Sequence, residues 1–374
     1  MSDLMKIVFW LSAFVIVYAY AGYPLVLLFL RVFIHRRVRK SPIEPYVTLV
    51  VPAYNESRVI EAKIRNAASL DYPPNKLEVL IASDGSSDGT VELASKFSDG
   101  SRIRVLAFPQ NRGKILVLND AVREAKGEII VFSDASAILQ ADSIRQLVAN
   151  FADPKVGAVS GIYRVQHASG ARLGSQEEMY WKYETFLRMQ ESLLASTLGG
   201  HGQILGVRKD LYPFPAPGTI NDDFVIPVRV LAGGSRVIYE PLAVAFEEAS
   251  EMVGFQRRVR IMAGNMQQLR EMKGLLWPPQ PLPLLFFLSR KVARSAIPFF
   301  LVCLAVSNCF LLHGRFYQLA GVLQLMFYGL ALVGSRWQLK PRGLRLPYYF
   351  CFVNGAYLWG AYQSLQGRGK VNWK

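Results

Sequence analysis

Residues 77–90 read LEVLIASDGSSDGT, and this stretch decides how the chain divides into strands and helices. Residues 77–82 are mostly apolar or β-branched, which predicts a buried strand. Asp84 and Gly85 follow and favour a tight turn, and residues 89–97 have a helical pattern. A strand that ends in a polar turn and leads into a helix is typical of parallel sheets.

The same unit recurs on both sides of this stretch. Further strands are predicted at residues 47–51, 103–107 and 129–132, and further helices at residues 57–69, 114–125 and 141–151. The fold class is therefore α/β, with a mainly parallel sheet covered by helices on both faces. Ligands on such sheets bind at the carboxyl ends of the strands, where the unusual polar residues of this chain occur.

The charge of the chain points to anionic partners. Lys and Arg number 43 against 28 Asp and Glu, which gives a formal net charge of +15. No zinc knuckle, helix-turn-helix or aromatic RNA-binding motif accompanies this charge, so nucleotide phosphates and lipid headgroups explain it better than nucleic acid. The three cysteines lie in apolar runs without metal-ligand spacing and indicate neither a metal site nor disulfides.

Apolar segments lie at both ends of the chain. Residues 5–33 can cross a bilayer once, and the basic residues that follow predict a cytoplasmic flank with the N-terminus outside. Residues 282–288 are too short to span and predict an interfacial helix. Three more spans are predicted at residues 297–312, 316–333 and 346–362. A four-span count places the basic tail outside, against the positive-inside rule, and the sequence does not decide this point.

These patterns divide the chain into three parts. We expect an N-terminal transmembrane anchor in residues 1–40, a cytoplasmic catalytic domain in 41–280, and an interfacial helix with transmembrane helices in 281–374. The expected location is the inner cell membrane, crossed several times.

Polar motifs follow the predicted strands. Pro52, Tyr54 and Glu56 follow the first strand, and Asp84 follows the second. Carboxylates at strand ends can accept hydrogen bonds from a base or a ribose. Ordinary turns are the alternative, and for Asp88 alone we expect a helix cap.

Two further motifs suit phosphate and metal. Lys114 opens a helix after Asn111-Arg112-Gly113, an arrangement that suits a phosphate. Asp134 and Ser136 follow the fourth strand, where a carboxylate can bind Mg²⁺ or Mn²⁺ together with substrate phosphates.

An acid pair and an arginine cluster complete the candidate site. Asp222 and Asp223 precede a helical pattern, and one of them can take a proton from an acceptor hydroxyl, although Asp222 also suits a helix cap. The cluster can hold an anionic leaving group, or lie against lipid headgroups: Arg257, Arg258 and Arg260. On a helix Arg258 points away from the other two, so it is the better candidate for a lipid contact.

In this order, the motifs resemble the family 2 inverting glycosyltransferases with a GT-A (Rossmann-like) fold. The resemblance spans residues 46–272 and is strongest to the membrane-embedded cellulose, hyaluronan and poly-N-acetylglucosamine synthases. It implies a UDP-sugar donor and a glycan or lipid-linked acceptor. It also implies that Asp84 binds uridine, that Asp134 binds metal and diphosphate, and that Asp223 is the general base. The acceptor pocket would be lined by Gly200, His201 and Gly202. Trp181 could also touch a sugar, with packing as its alternative role.

Two departures from that family bear on product length. Ser136 stands where a second metal-binding acid is common. Gln256 is followed by Val259 and Arg260 where the synthases have Arg and Trp. A shift by one place matches Arg260 to the family arginine, but then Arg257 replaces the glutamine and Ile261 the tryptophan, so the aromatic residue that stacks on the acceptor is missing in either register. These departures favour transfer of one or a few sugars over processive synthesis and export.

Three other interpretations compete with this one. A processive synthase-translocase remains open, as does assembly with a second copy or an export partner. A membrane transporter with a regulatory domain is disfavoured because the spans carry almost no ionisable residues. An inactive scaffold is disfavoured because the acid pair and Asp134 are present.

Overall fold

The computed structural model describes residues 2–166, 174–248, 264, 267–269, 273–277, 279–337 and 342–365. The strands are β1 Val47–Ala53, β2 Leu77–Asp84, β3 Ile103–Phe108, β4 Ile129–Phe132, β5 Ile138–Leu139, β6 Val156–Gln166, β7 Leu205–Arg208 and β8 Arg236–Glu248. The helices are α1 Ser2–Val17, α2 Tyr23–Phe33, α3 Ile60–Ala68, α4 Thr90–Ser95, α5 Lys114–Glu124, α6 Ser143–Val148, α7 Gly174–Leu194, α8 Asp222–Ala232, α9 Lys273–Leu276, α10 Pro281–Phe286, α11 Ala293–Phe310, α12 Arg315–Arg336 and α13 Leu346–Leu365.

One eight-stranded sheet, in the order β3-β2-β1-β4-β7-β6-β8-β5, organises the described part of the chain. Its first four strands are parallel, as the sequence predicts. Both β1 and β2 are buried along their whole length, because helices cover both faces. The α/β fold class is confirmed.

The second half of the sheet is mixed. Strand β7 runs antiparallel to β4 and to β6, β8 runs parallel to β6, and β5 runs antiparallel to β8. These four strands follow no strand-turn-helix repeat, so the periodicity that reveals β1–β4 gives no signal for them. They bring chain segments far apart in sequence beside the end of β4.

Within the ranges given above, three helices are long and apolar enough to cross a membrane: Ser2–Phe33, Pro281–Phe310 and Arg315–Arg336. The interfacial helix and the span predicted after it form one run, because a π-helical turn at Phe287–Val292 joins α10 to α11. Helix α13 packs on α12. Residues 338–341, and residues 366–374 with the basic tail, lie outside the described residues.

The apolar helices share a hydrophobic core with the sheet domain. Tyr23 and Leu27 of α2 and Phe286 and Phe287 are fully buried in the same cluster as Val225 of α8. The predicted catalytic acids begin α8, so the candidate site lies where the sheet domain meets the apolar helices.

Candidate active site

Asp84 ends β2 and holds the turn that follows β3. Its carboxylate is fully buried and accepts hydrogen bonds from the backbone N–H groups of Arg112 and Gly113, each at 2.8 Å. Gly85 makes this approach possible, since its φ is +69° and a Cβ there would lie 2.5 Å from the backbone nitrogen of Asn111. Asp84 therefore fixes the position from which Lys114 extends.

Asp88 joins the first two strand ends. It accepts hydrogen bonds from the backbone N–H of Thr90, at the start of α4, and from that of Ser57. Although burial opposes the shift, the hydrogen bonds from Thr90 and Ser57 lower the pKa of Asp88 well below its usual value. Gly89, and not Asp88, is the N-cap residue of α4, so Asp88 supports the start of the helix from one position earlier, and it also fixes the loop that carries Glu56.

Pro52 and Tyr54 lie beside this clamp. Pro52 is buried in β1, opposite Ala82 of β2. The pairing of β1 with β4 has already ended at Val50, so the missing N–H of Pro52 does not interrupt the hydrogen bonds between β1 and β4. Tyr54 is partly buried. Burial, together with the negative charge of Asp134, raises the pKa of Glu56. Glu56 therefore lies close enough to the end of β4 for the charge of Asp134 to affect its pKa.

Lys114 lies between two predicted site residues. Its Nζ is 2.9 Å from Oδ1 of Asp134 and 3.1 Å from Oδ2 of Asp222. Burial opposes the charge, but the two carboxylates raise the pKa of Lys114 well above its usual value, so the ammonium stays protonated. One cation therefore joins the end of β4 to the start of α8.

Glu247 contacts the candidate site, although the sequence interpretation did not include it. Ser136 donates a hydrogen bond to its Oε1 at 2.5 Å, and Gln203 donates to its Oε2 at 3.1 Å. Glu247 lies on β8, 111 positions beyond Ser136, and only the antiparallel pairing of β5 with β8 brings them together. No local sequence signal could have found this pair.

Lys63 was also missed, because it looks like an ordinary helix lysine. It is fully buried, and its Nζ donates to Ser133 Oγ and to the carbonyl of Ala137, each at 2.6 Å. Burial lowers the pKa of Lys63 to about 7, against the charges of Asp134 and Glu247. Lys63 thus supports both ends of the loop that carries Asp134 and Ser136.

Pro227 explains the position of Asp223. A proline has no N–H, so the carbonyl of Asp223, four residues earlier, loses its helical partner. That carbonyl accepts a hydrogen bond from the backbone N–H of Gly200 at 2.6 Å instead. Asp222, the first helical residue, contacts Lys114 rather than capping the helix as the alternative interpretation held.

The electrostatics of Asp223 suit a group that exchanges protons. Burial, followed by the charge of Asp222, raises the pKa of Asp223, while Arg188, Lys291 and Lys114 oppose the rise. A carboxylate with a raised pKa is a stronger base than an exposed one.

The predicted acceptor loop is fixed on both sides. Arg188 donates to the carbonyl of Gly200 at 3.0 Å, and the backbone N–H of His201 donates to Ser160 Oγ at 3.0 Å. Gly202 packs on the site, since a Cβ there would lie 3.1 Å from Oδ2 of Asp134. The loop thus touches both the end of β4 and the start of α8.

His201 and Trp181 belong to an aromatic cluster on this loop. Trp181 contacts His201 edge to face at 5.4 Å between ring centroids, and His201 Nε2 is 3.0 Å from the Tyr239 hydroxyl. Burial and the charge of Arg188 lower the pKa of His201 well below its usual value, so it is neutral. Its environment suits packing and hydrogen bonding, not proton transfer.

A divalent cation fits the residues near Asp134 only with help from a substrate. No group of three or more His, Cys, Asp or Glu side chains that could hold a metal occurs in the described ranges. Asp134 with the Ser136–Glu247 pair supplies oxygen atoms, and Mg²⁺ or Mn²⁺ commonly takes its other ligands from phosphates and water. The predicted diphosphate-binding residues, Arg257, Arg258 and Arg260, lie outside the described residues.

Comparison with known sequences agrees with the motif resemblance. Residues 48–212 match the model of glycosyl transferase family 2. The poly-β-1,6-N-acetyl-D-glucosamine synthase of Staphylococcus aureus strain COL is 28% identical over 229 residues, which are 60% of this chain and 55% of that protein. The synthase of Staphylococcus epidermidis is 26% identical over 230 residues, with the same coverage. The chain thus spans about half the length of the curated relatives it matches.

A solved structure shares the fold. The mannosyltransferase PcManGT from Pyrobaculum calidifontis, in complex with GDP-Man and Mn²⁺, aligns with a TM-score of 0.73 and 24% identity. The alignment covers 96% of this chain and 99% of that one. At this identity the likeness establishes the architecture, including the apolar helices, and leaves donor and acceptor undecided.

Proposed function

The chain carries a family 2 glycosyltransferase domain, and from this premise we propose that it transfers a sugar from a UDP-sugar to a glycan or lipid-linked acceptor. The reaction would take place at the cytoplasmic face of a cell membrane that the chain crosses several times, as a step in cell-surface polysaccharide synthesis. Three apolar helices and the similarity to poly-N-acetylglucosamine synthases support this setting.

One observation carries the proposal: the ends of β2 and β4 and the start of α8 converge on Lys114. Asp84 fixes the turn before Lys114, and the Lys114 ammonium contacts both Asp134 and Asp222. A donor diphosphate bound here would meet a permanent positive charge beside the Asp223 carboxylate. Cation, acid pair and strand ends together suit group transfer from a nucleoside diphosphate.

The chemical step follows from these positions. The acceptor hydroxyl loses its proton to Asp223, and its oxygen forms a bond to the anomeric carbon on the face opposite the diphosphate. The bond from that carbon to the diphosphate breaks, and the electron pair leaves with the diphosphate. The configuration at the anomeric carbon is inverted. A base in this position contributes about 10²–10⁴-fold to the rate.

Mg²⁺ or Mn²⁺ would be held by Asp134, with the Ser136–Glu247 pair nearby. When bound, such an ion neutralises charge on the diphosphate. Lys114 binds and orients the diphosphate from the helix start, and Asp222 holds Lys114 in place. The roles proposed for Pro52, Tyr54, Glu56 and Asp84 are to shape the nucleotide pocket.

The donor is tested by incubating the purified protein with UDP-glucose, UDP-N-acetylglucosamine, UDP-galactose and GDP-mannose. GDP-mannose is included because PcManGT was solved with it. We expect acceptor-dependent UDP release from at least one UDP-sugar. Release of GDP alone would show that the donor nucleotide is guanosine diphosphate instead of uridine diphosphate. If no nucleoside diphosphate is released from any donor, sugar transfer is contradicted.

A processive synthase is the second candidate, supported by the similarity to polymer synthases. Product length at early times, with acceptor in large excess, separates the two. We expect products that lengthen by one sugar at a time, whereas long polymer beside unused acceptor would establish processive synthesis.

A further inference from the structure

Four basic side chains cluster on the side of Asp223 that faces the apolar helices: Arg188, Arg290, Lys291 and Arg294. Two of them are paired with acids of α7. Arg290 lies 3.3 Å from Glu184 and 2.8 Å from Glu191, and Arg294 also contacts Glu184. Arg188 and Lys291 are left without a carboxylate within ion-pair distance in the part of the chain that the structure describes.

Both remaining cations lie beside the proposed base. Arg188 is 8% exposed, contacts the loop that binds Asp223 through Gly200, and has a buried Nε with no hydrogen-bond partner among the described residues. The Nζ of Lys291 lies 4.5 Å from the ring centroid of Phe224, the residue after Asp223. Both charges act on Asp223 and oppose the rise in its pKa.

Asp223 offers these two basic groups only partial compensation. Its carboxylate faces the Arg188 guanidinium and the Lys291 amine, and it becomes neutral when it accepts the acceptor proton. Buried cations without a counter-charge are costly, and an unfilled guanidinium N–H in particular calls for an acceptor oxygen. An anion held between Arg188 and Lys291 would balance both states of the base.

The position of Lys291 indicates where this anion comes from. Lys291 belongs to the π-helical turn between α10, which is packed in the core of the sheet domain, and α11, which continues the apolar helix. A lysine at such a junction lies at the level of lipid headgroups if the helix spans a bilayer. The donor already has its own cation, Lys114, on the sheet side of the acid pair.

We propose that Arg188 and Lys291 bind the phosphate of a lipid-linked acceptor and thereby place its hydroxyl next to Asp223. This inference rests on the proposed sugar transfer and specifies its acceptor as an anionic lipid. A phosphate provides several acceptor oxygens, which the guanidinium N–H groups and the ammonium can share. The phosphate serves only for binding, and the nucleophile is a hydroxyl of the sugar attached to it.

The test compares two acceptors with one donor. One acceptor carries a sugar on a polyisoprenyl diphosphate, and the other carries the same sugar as a neutral alkyl glycoside. We expect wild-type kcat/KM to favour the phosphate-bearing acceptor at least tenfold. We expect Lys291→Met and Arg188→Met to remove most of this preference through KM, and Lys291→Arg to restore it. Equal use of both acceptors by wild type, or an unchanged preference in both Met variants, would overturn the inference.

Three controls make the outcome decisive. Lys6→Met removes a lysine near Tyr317, beyond the far end of the helix that follows Lys291, and should leave the preference unchanged. Titration with UDP reports whether each variant keeps a folded donor site. Vesicles of phosphatidylglycerol and free inorganic phosphate should compete poorly, and equal competition by either would show a general anion contact instead. If neither acceptor is glycosylated with any donor, the proposed function fails, which is a different result from a lost preference.

Discussion

The proposed donor side and the proposed acceptor side of this site are built in different ways. On the donor side, Asp84, Lys114 and Asp134 follow successive parallel strands, and short local motifs place them. On the acceptor side, Asp223, Gly200, Arg188 and Lys291 come from four segments joined by long-range contacts. The comparison shows that the nucleotide half follows from the sheet, whereas the acceptor half depends on how the apolar helices pack on it.

The largest effect is expected at the point where the two sides meet. Asp223→Asn should reduce transfer by about 10²–10⁴-fold, because the amide cannot accept the proton of the acceptor hydroxyl. UDP affinity should stay near wild type, because the donor side keeps its contacts. Steady-state transfer and UDP titration measure these two quantities. The exposed Asp210→Asn serves as control, and turnover of the Asp223 variant near the control rate would remove Asp223 from the role of base.

The next largest effect is a loss of folding stability on the acceptor side. Arg290→Met leaves Glu184 and Glu191 buried with one cation fewer and should destabilise the protein by about 3–5 kcal/mol. Arg65→Met removes an exposed ion pair with Glu61 and should change stability by less than about 0.5 kcal/mol. Chemical denaturation in detergent compares the two. Equal stability of these variants would show that the buried network does not hold the apolar helices on the domain.

A smaller effect is expected for metal binding on the donor side. Glu247→Gln weakens the group that orients Ser136, so Mn²⁺ affinity in the presence of UDP should fall by about 10–100-fold. Asp134→Ala should abolish that binding. Electron paramagnetic resonance of free Mn²⁺ measures both without turnover. Unchanged Mn²⁺ binding by Asp134→Ala would place the metal elsewhere.

The smallest effect is a shift in the pH profile. Burial and the charge of Asp222 raise the pKa of Asp223, so activity should fall as the pH drops through this raised value. Asp222→Asn removes a negative charge, lowers that pKa and should move the acid limb to lower pH. Lys291→Met removes an opposing positive charge and should move the limb to higher pH. If the acid limbs of the two variants do not move in opposite directions, the fall in activity at low pH does not report the protonation of Asp223.

The residues of the proposed donor side could be selected from the sequence because the signals that mark them are local. Each of the first four strands ends in its own motif, and parallel strands bring these ends to one edge of the sheet. The hydrogen bonds that Asp88 accepts from Thr90 and Ser57 connect only the loops that follow the first two strands. Residues 48–212 match the model of glycosyl transferase family 2, in agreement with the glycosyltransferase assignment that these motifs suggested.

The acceptor side was only partly predictable, for physical reasons. The acid pair was recognisable, but the effect of Pro227 on the Asp223 carbonyl depends on a loop 23 residues earlier that no periodicity places there. Glu247 reaches Ser136 through an antiparallel strand without a local signature. From the sequence alone, Lys291 is interpreted as a contact to lipid headgroups. Its position beside Phe224 becomes visible only when its helix is packed against α8.

In the proposed reaction, a soluble nucleotide sugar enters on one side of the site and a membrane-bound acceptor on the other. The most direct test incubates the protein in vesicles that contain a polyisoprenyl-linked sugar, with a donor radiolabelled in its sugar, and then separates the vesicles from the buffer. We expect the label in the lipid fraction, with one UDP released for each sugar transferred. Release of UDP with all label remaining as free sugar in the buffer would contradict it.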